Sequence, residues 1–164
     1  MAKVILICGK ICSGKSTYAK QLRRERNAVV LSCDELMLSL FDPLLGDKHD
    51  EIGAKAEAYL CDRALDIVGA GVDVILDWGF WQKAKRQETA RFFEDRGAAQ
   101  EWHYVDVSEE TWRRNIEGRN AAVQAGMPGA YFVDEGLLKK VESRFEKPDR
   151  SEIDVWFVNE RAAE

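Results

Sequence analysis

The sequence predicts an α/β fold of three layers, a parallel five-stranded sheet with helices on both faces. Three observations predict it. Short apolar runs alternate with segments of helical periodicity along the whole chain. The runs are apolar almost throughout rather than every second residue, as expected of strands buried on both faces. A glycine-rich loop, "GKICSGKST" from Gly9 to Thr17, stands between the first run and the first helical segment.

Element by element, "VILIC" at 4–8 is the first strand, and the helix after the loop spans about 15–26. "AVVLS" at 28–32 is the second strand. "CDELMLSLF" follows as a short helix stopped by Asp42 and Pro43, because a proline disfavours helix at the residue before it. Residues 44–51 read as a polar loop. Ala54, Ala58, Cys61, Leu65 and Val68 recur at helical spacing, which predicts a helix over 53–68, ended by Gly69 and Gly71. "VDVIL" at 72–76 is the third strand, 82–96 a helix closed by Gly97, and "WHYVDV" at 102–107 the fourth strand. Ser108 is placed to cap a helix running to about Gly118, with Glu109 and Glu110 in its favourable first turn. "QAGMPGAYF" breaks the pattern as a mobile loop. Asp134 can cap a helix running to about Phe145, and "IDVWFV" at 153–158 is the last strand. No internal repeat or linker divides the chain, and 164 residues fit one domain over 1–164.

Bulk composition removes some function classes. A net charge of −5 argues against a basic coat for nucleic acid, though a local cationic groove is compatible with it. No segment has the apolar length of a membrane span, and "VILIC" is too short for a signal peptide. The cysteines Cys8, Cys12, Cys33 and Cys61 have no C-x-x-C or zinc spacing, which predicts free buried thiols and a cytoplasmic setting.

Gly9-Lys10-Ile11-Cys12-Ser13-Gly14-Lys15-Ser16 fits G-x-x-x-x-G-K-[ST], with the strand before it and the helix after it that such a loop requires. The glycines let successive N–H groups surround phosphate, the helix N-terminus adds its positive end, Lys15 reaches the β- and γ-phosphates, and Ser16 can ligate Mg²⁺. Thr17 closes the set. Lys10 either touches phosphate or is solvated, and Cys12 is given no chemistry. The cofactors expected are ATP and Mg²⁺. No guanine-reading N-K-x-D is present, and there is no room for the second domain of most motor ATPases.

In a parallel sheet of this kind, ligands lie at the carboxyl ends of the strands. Asp34 follows the second strand and can orient an acceptor hydroxyl, or cap the next helix. Asp77 ends the third strand, where a carboxylate holds Mg²⁺ or caps a turn. Trp78, Phe80 and Trp81 wall an acceptor pocket or belong to the core. Arg119, and with it Arg114, can neutralise a moving phosphoryl group from a closing lid; the other reading, for Arg113 as well, is a solvated face paired with Glu109, Glu110 and Glu117. Lys83 and Arg86 either reach an anionic acceptor group or are solvated. His103 reads as structural, and no zinc site or nucleophilic triad is present.

These residues carry a resemblance. Gly9 to Thr17, "SCDELM", "VILDWGFW" with Arg86 downstream, Arg119-Asn120 and "FEKPDRSE" together resemble the small P-loop kinases of the AAA-type ATP-binding protein family. These are related to chloramphenicol phosphotransferase, zeta toxin and the phage polynucleotide kinase domain. The resemblance spans nearly the whole chain; "LDWGFW" and "FE-x-P" are its specific parts. It implies a P-loop NTPase fold with strand order 2-3-1-4-5 and a small helical lid, an acceptor-side base at Asp34, a lid arginine at Arg119, and a tail at 148–152 near the adenine. The function expected is transfer of the γ-phosphate of ATP to a hydroxyl of a small molecule, the acceptor left open. The alternatives are a nucleotide-gated ATP-binding protein and a polynucleotide 5′-hydroxyl kinase.

Overall fold

The computed structural model describes residues 1–41, 45–128 and 130–160. Five parallel strands form one sheet: β1 (Val4–Cys8), β2 (Val29–Ser32), β3 (Val74–Gly79), β4 (Gln100–Val107) and β5 (Val155–Asn159). Their order is β2-β3-β1-β4-β5, so β1 is central. Every side chain of β1 is fully buried, which is why its sequence is apolar without alternation.

The two-residue period of a strand divides those side chains between two cores. Val4, Leu6, Cys8, Val74 and Leu76 face α3 (His49–Gly69) and α4 (Lys83–Glu94). Ile5, Ile7, Ile75 and Val105 face Tyr18, Ala19 and Leu22 of α1 (Lys15–Arg26). A third cluster joins α5 (Glu109–Gln124) and α6 (Glu135–Arg144) to Cys12 of the glycine loop. The helix α2 (Cys33–Leu40) packs on α3 through Cys33, Met37 and Leu60. Among the described residues, no helix is long and apolar enough to cross a membrane. All four cysteines are free and buried; burial pushes the thiols up, that of Cys8 to about 11 and those of Cys33 and Cys61 to about 12.

The elements predicted from sequence are all present, with shifted ends. Residues 49–51, expected in a loop, belong to α3, and a 3₁₀ turn at Gly46–Lys48 leads into it. β3 runs three residues past Leu76, because Asp77 pairs in register with Ser32 and Ile7. α5 continues six residues past Gly118, and no helix or strand covers 125–128 or 130–134. The stop expected at Asp42 and Pro43, like Leu44 and Gly129, lies outside the described residues. Caps set three helix starts: the Ser32, Ser108 and Asp134 side chains accept from the N–H groups of Glu35, Thr111 and Leu137. Ser32 thus takes the capping role considered for Asp34, which sits in the first turn of α2.

Candidate functional site

The site starts from a break in pairing between β1 and β3. The register slips between Ile7 and Cys8, so that Cys8 pairs with Gly79 and Trp78 is passed over. Gly79 and Phe80 then turn with φ of 87° and 48°. Gly79 accepts a hydrogen bond from the Gly9 N–H at 2.9 Å, and a Cβ at Gly79 would lie 3.2 Å from the Gly9 carbonyl. The ends of β3 and β1 are thereby fastened where the glycine loop begins.

Within the loop, Cys12 and Gly14 adopt positive φ, 58° and 96°. Four successive carbonyls are each engaged by a side chain. Lys15 Nζ donates to the Lys10 oxygen at 3.0 Å, Trp112 Nε1 to Ile11 at 2.6 Å, Asn115 Nδ2 to Cys12 at 2.9 Å and Asn159 Nδ2 to Ser13 at 2.9 Å. A trans peptide points its N–H opposite to its carbonyl. The N–H groups of Cys12 and Gly14 are therefore turned away from Trp112 and Asn159, while that of Ser13 closes a turn onto Lys10 at 3.2 Å. The Ser13 hydroxyl is fully buried with no hydrogen-bond partner among the described residues. A Cβ at Gly9 would meet it at 2.8 Å, and one at Gly14 would run into the Asn159 amide. α1 opens directly from the loop without a side-chain cap or an acidic residue in its first turn, leaving its positive end open to an anion. Thr17 lies exposed in that turn.

Around this loop stand the charged groups. Ser16 Oγ donates to Asp77 Oδ2 at 3.0 Å, and Asp77 is 7% exposed. Burial raises the Asp77 carboxyl above its ordinary value, while Lys15 and the Ser16 hydroxyl pull it back. Burial lowers the Lys15 ammonium, against the attraction of Asp77 and then Asp34. Arg119, half-buried on α5, lies in the field of Lys15, Asp77 and Cys12. Asp34 is exposed at the start of α2, two residues beyond the Ser32 that pairs with Asp77. Lys15, Ser16, Asp77, Asp34 and Arg119 are thus collected at one edge of the sheet. Two oxygen donors side by side, a hydroxyl and a carboxylate, suit a hard cation that keeps waters and phosphate oxygens as its other ligands, as Mg²⁺ does.

Other residues singled out from sequence lie elsewhere. Arg114 pairs with Glu110 and Arg113 with Glu109, each at 2.9 Å on the exposed side of α5. The structure does not bring Arg114 to the loop. Lys10 Nζ sits 3.9 Å from the centre of the Trp112 ring, neither on the inside of the loop nor freely solvated. Arg86, expected on a solvated face or at an acceptor anion, is 2% exposed and does neither. It donates to the carbonyls of Phe80, Trp81 and Glu146 and to the Glu152 carboxylate, at 3.0 to 3.3 Å for its shorter bonds. Lys83 pairs with Asp149. Phe80 belongs to the core, Trp81 packs beside Ile11, and Trp78 lies between the α2–α3 and α3–α4 clusters. His103 is buried between Tyr18 and Glu101.

Sequence reading missed Trp112, Asn115 and Asn159. A signal for two of them was present: residues 112, 115 and 119 share one face of a helix by their spacing.

A family model described as "AAA domain" matches residues 4–148. No curated protein matches in sequence. Solved structures do. The APS kinase CysC of Mycobacterium tuberculosis, in complex with AMPPNP and APS, superposes with a TM-score of 0.70 at 20% identity, over 98% of this chain and 90% of that one. Kti12 of Chaetomium thermophilum, in complex with ADP-AlF3, gives 0.70 at 18% identity over 95% and 88%. A gluconokinase from Sinorhizobium meliloti 1021 gives 0.62 at 14% identity over 95% and 81%. At these identities the likeness is one of fold.

Proposed function

We propose that this chain, which belongs to the AAA domain family, is an ATP-dependent phosphotransferase that moves the γ-phosphate to a hydroxyl of a small molecule. The observation that carries the reading is the gathering of Lys15, the Ser16–Asp77 pair, Asp34 and Arg119 around one glycine loop. Two of the fold neighbours, an APS kinase and a gluconokinase, are kinases by name, which agrees with it.

In this reading the loop amides and Lys15 hold the β- and γ-phosphates of ATP. Mg²⁺, held through Ser16 and Asp77, would neutralise phosphate charge. Asp34 orients the acceptor hydroxyl in line with the γ-phosphorus. As the acceptor oxygen bonds to that phosphorus, the bond to the β–γ bridging oxygen breaks, ADP leaves, and the hydroxyl proton passes late to Asp34. Arg119 offsets the charge spread over the transferring group.

The test is ATP consumption against a panel of aminoglycosides, chloramphenicol-like drugs, nucleosides, sugar nucleotides and 5′-hydroxyl oligonucleotides, with Lys15→Ala as the blank. Stimulation by one small-molecule class, lost in the blank and in Asp34→Asn while Asp34→Asn still binds ATP, is the expected result. Full transfer by Asp34→Asn would sink the mechanism. Stimulation only by oligonucleotides would replace the acceptor class with nucleic-acid ends.

A further inference from the structure

We propose that Trp112, Asn115 and Asn159 are positioning residues, which hold the glycine loop in its phosphate-binding shape and set Arg119 against it. The inference rests on the nucleotide reading above and adds to it residues that touch neither phosphate nor acceptor.

The argument begins with the loop itself. A nest for phosphate needs N–H groups turned inward, so the carbonyls of the same peptides must turn outward. Outward carbonyls in a buried loop need donors, because an unpaired buried carbonyl is costly. Here three consecutive ones, on Ile11, Cys12 and Ser13, each meet a side-chain N–H at 2.6 to 2.9 Å; the outer two belong to the peptides that turn the Cys12 and Gly14 N–H groups inward, and the middle one to the peptide whose Ser13 N–H closes the turn onto Lys10. The donors come from two directions. Trp112 and Asn115 are on α5, while Asn159 is the last residue of β5. Removing one donor favours peptide orientations that turn a carbonyl toward the phosphate. Each such orientation lowers the fraction of molecules ready to bind.

The same helix ties the loop to Arg119. Residues 112, 115 and 119 follow one another at helical spacing on the face of α5 toward the loop, where Trp112 and Asn115 are 1% and 2% exposed. α5 is held at both ends. Ser108 caps its start, and near its end the Asn120 side chain bonds both the N–H and the carbonyl of Val133, at 2.7 and 2.8 Å. Arg119 cannot shift along the helix without disturbing the bonds to Ile11 and Cys12. The place from which the Arg119 side chain reaches toward the loop is thereby set before any ligand arrives.

Trp112→Phe tests this with little change of packing, since it removes the N–H and keeps an aromatic ring. Trp156→Phe is the matched control, because the Trp156 indole N–H donates at 3.2 Å to Asp106 of β4, not to a loop carbonyl. ATP binding is measured by titration calorimetry, beside the melting temperature without nucleotide. Trp112→Phe is expected to weaken ATP about tenfold, the equivalent of one such bond, and Trp156→Phe to leave ATP affinity unchanged. Adding Asn159→Leu to Trp112→Phe is expected to weaken it further. Wild-type affinity in Trp112→Phe would overturn the inference, and so would an equal loss in Trp156→Phe, which would mark a general effect of stability. If the double variant does not fold, the two single tryptophan variants decide alone. Absence of ATP binding in the wild-type protein would instead overturn the nucleotide reading itself, and this inference with it.

Discussion

At the scale of single residues, a buried carboxylate, Asp77, and a half-buried ammonium, Lys15, attract one another beside Ser16. Burial acts on both in the direction of neutrality: it raises the carboxyl and lowers the ammonium, and their mutual attraction only partly reverses this. Asp77 must be ionised to hold a cation. Because its pKa lies above the usual 3.8, Mg²⁺-dependent ATP binding should begin to fail on acidification at a higher pH than an ordinary aspartate would give. Titration calorimetry with ATP and Mg²⁺ over a series of pH values checks this. Asp77→Asn should reduce affinity for ATP·Mg²⁺ by about tenfold or more, the scale seen when groups that hold a metal are removed. An affinity in Asp77→Asn equal to wild type, with Mg²⁺ in excess, would remove Asp77 from the metal site.

At the scale of elements, Arg86 of α4 is the clearest case of a side chain joining distant segments. Its guanidinium meets the turn after β3 through Phe80 and Trp81, and the segment after α6 through Glu146 and Glu152. Glu146 N–H in turn donates to the Trp81 carbonyl at 2.7 Å. Arg86→Met would take the counter-charge from the poorly exposed Glu152 carboxylate and one donor from each of three carbonyls, at a cost of about 3–5 kcal/mol. Arg86→Lys should recover only part, since an ammonium cannot span a planar fork of acceptors. Urea denaturation of the three proteins gives the comparison; a loss under 1 kcal/mol in Arg86→Met would show the bracket to be dispensable. A smaller effect belongs to α2: Ser32→Ala removes its cap and should cost about 1 kcal/mol, with Asp34 in the turn that loosens. The role of Arg86 was not legible in the sequence. Its spacing places it on a polar helix, and only the fold reveals that this face meets three carbonyls. Strands and helices were legible because β1 and β3 are apolar enough to have one solution. Their ends were not: β3 extends through Asp77 because Ser32 and Ile7 offer ladder partners, and α5 extends past Gly118 through residues of good helix propensity. The loop, Asp34 and Asp77 were readable from motif and strand position, whereas Trp112 and Asn159 bond backbone carbonyls 101 and 146 residues away and leave no local pattern.

At the scale of the whole molecule, a buried polar chain joins the first helix to the sheet on the side away from α3 and α4. Tyr18 OH lies 2.7 Å from His103 Nδ1, and His103 Nε2 lies 2.6 Å from Glu101 Oε1. Lys3, just before β1, and Arg26, the last residue of α1, both reach Glu101 as well. An ionised Glu101 can only accept, so Nε2 carries the proton and the Tyr18 hydroxyl donates to Nδ1. Burial lowers the His103 pKa below 6.5, against the pull of Glu101, so the native ring is neutral. Burial also works to raise Glu101, but the bonds from Lys3 and His103 and the charge of Arg26 outweigh it and bring the carboxyl down to about 2, from 4.5. Both shifts destabilise the fold in acid. Below pH 6.5 the unfolded chain takes up a proton on His103 that the native state resists; from 4.5 down to about 2 it takes up another on Glu101. Stability should therefore fall in two stages on acidification, and the urea midpoint should already be lower at pH 5 than at pH 7. His103→Gln should flatten the first stage. It should leave most of the second, because Lys3 and Arg26 still hold the Glu101 carboxylate. A wild-type midpoint unchanged between pH 7 and pH 5 would refute the neutral histidine; a second stage abolished in His103→Gln would show that Lys3 and Arg26 contribute little. Because α1 begins at Lys15 and bears Tyr18 one turn later, loosening this chain also loosens the helix whose first residues form part of the proposed phosphate site. ATP should then raise the melting temperature of His103→Gln less than that of wild type at equal concentration, and an equal rise would separate the acid-sensitive chain from the site.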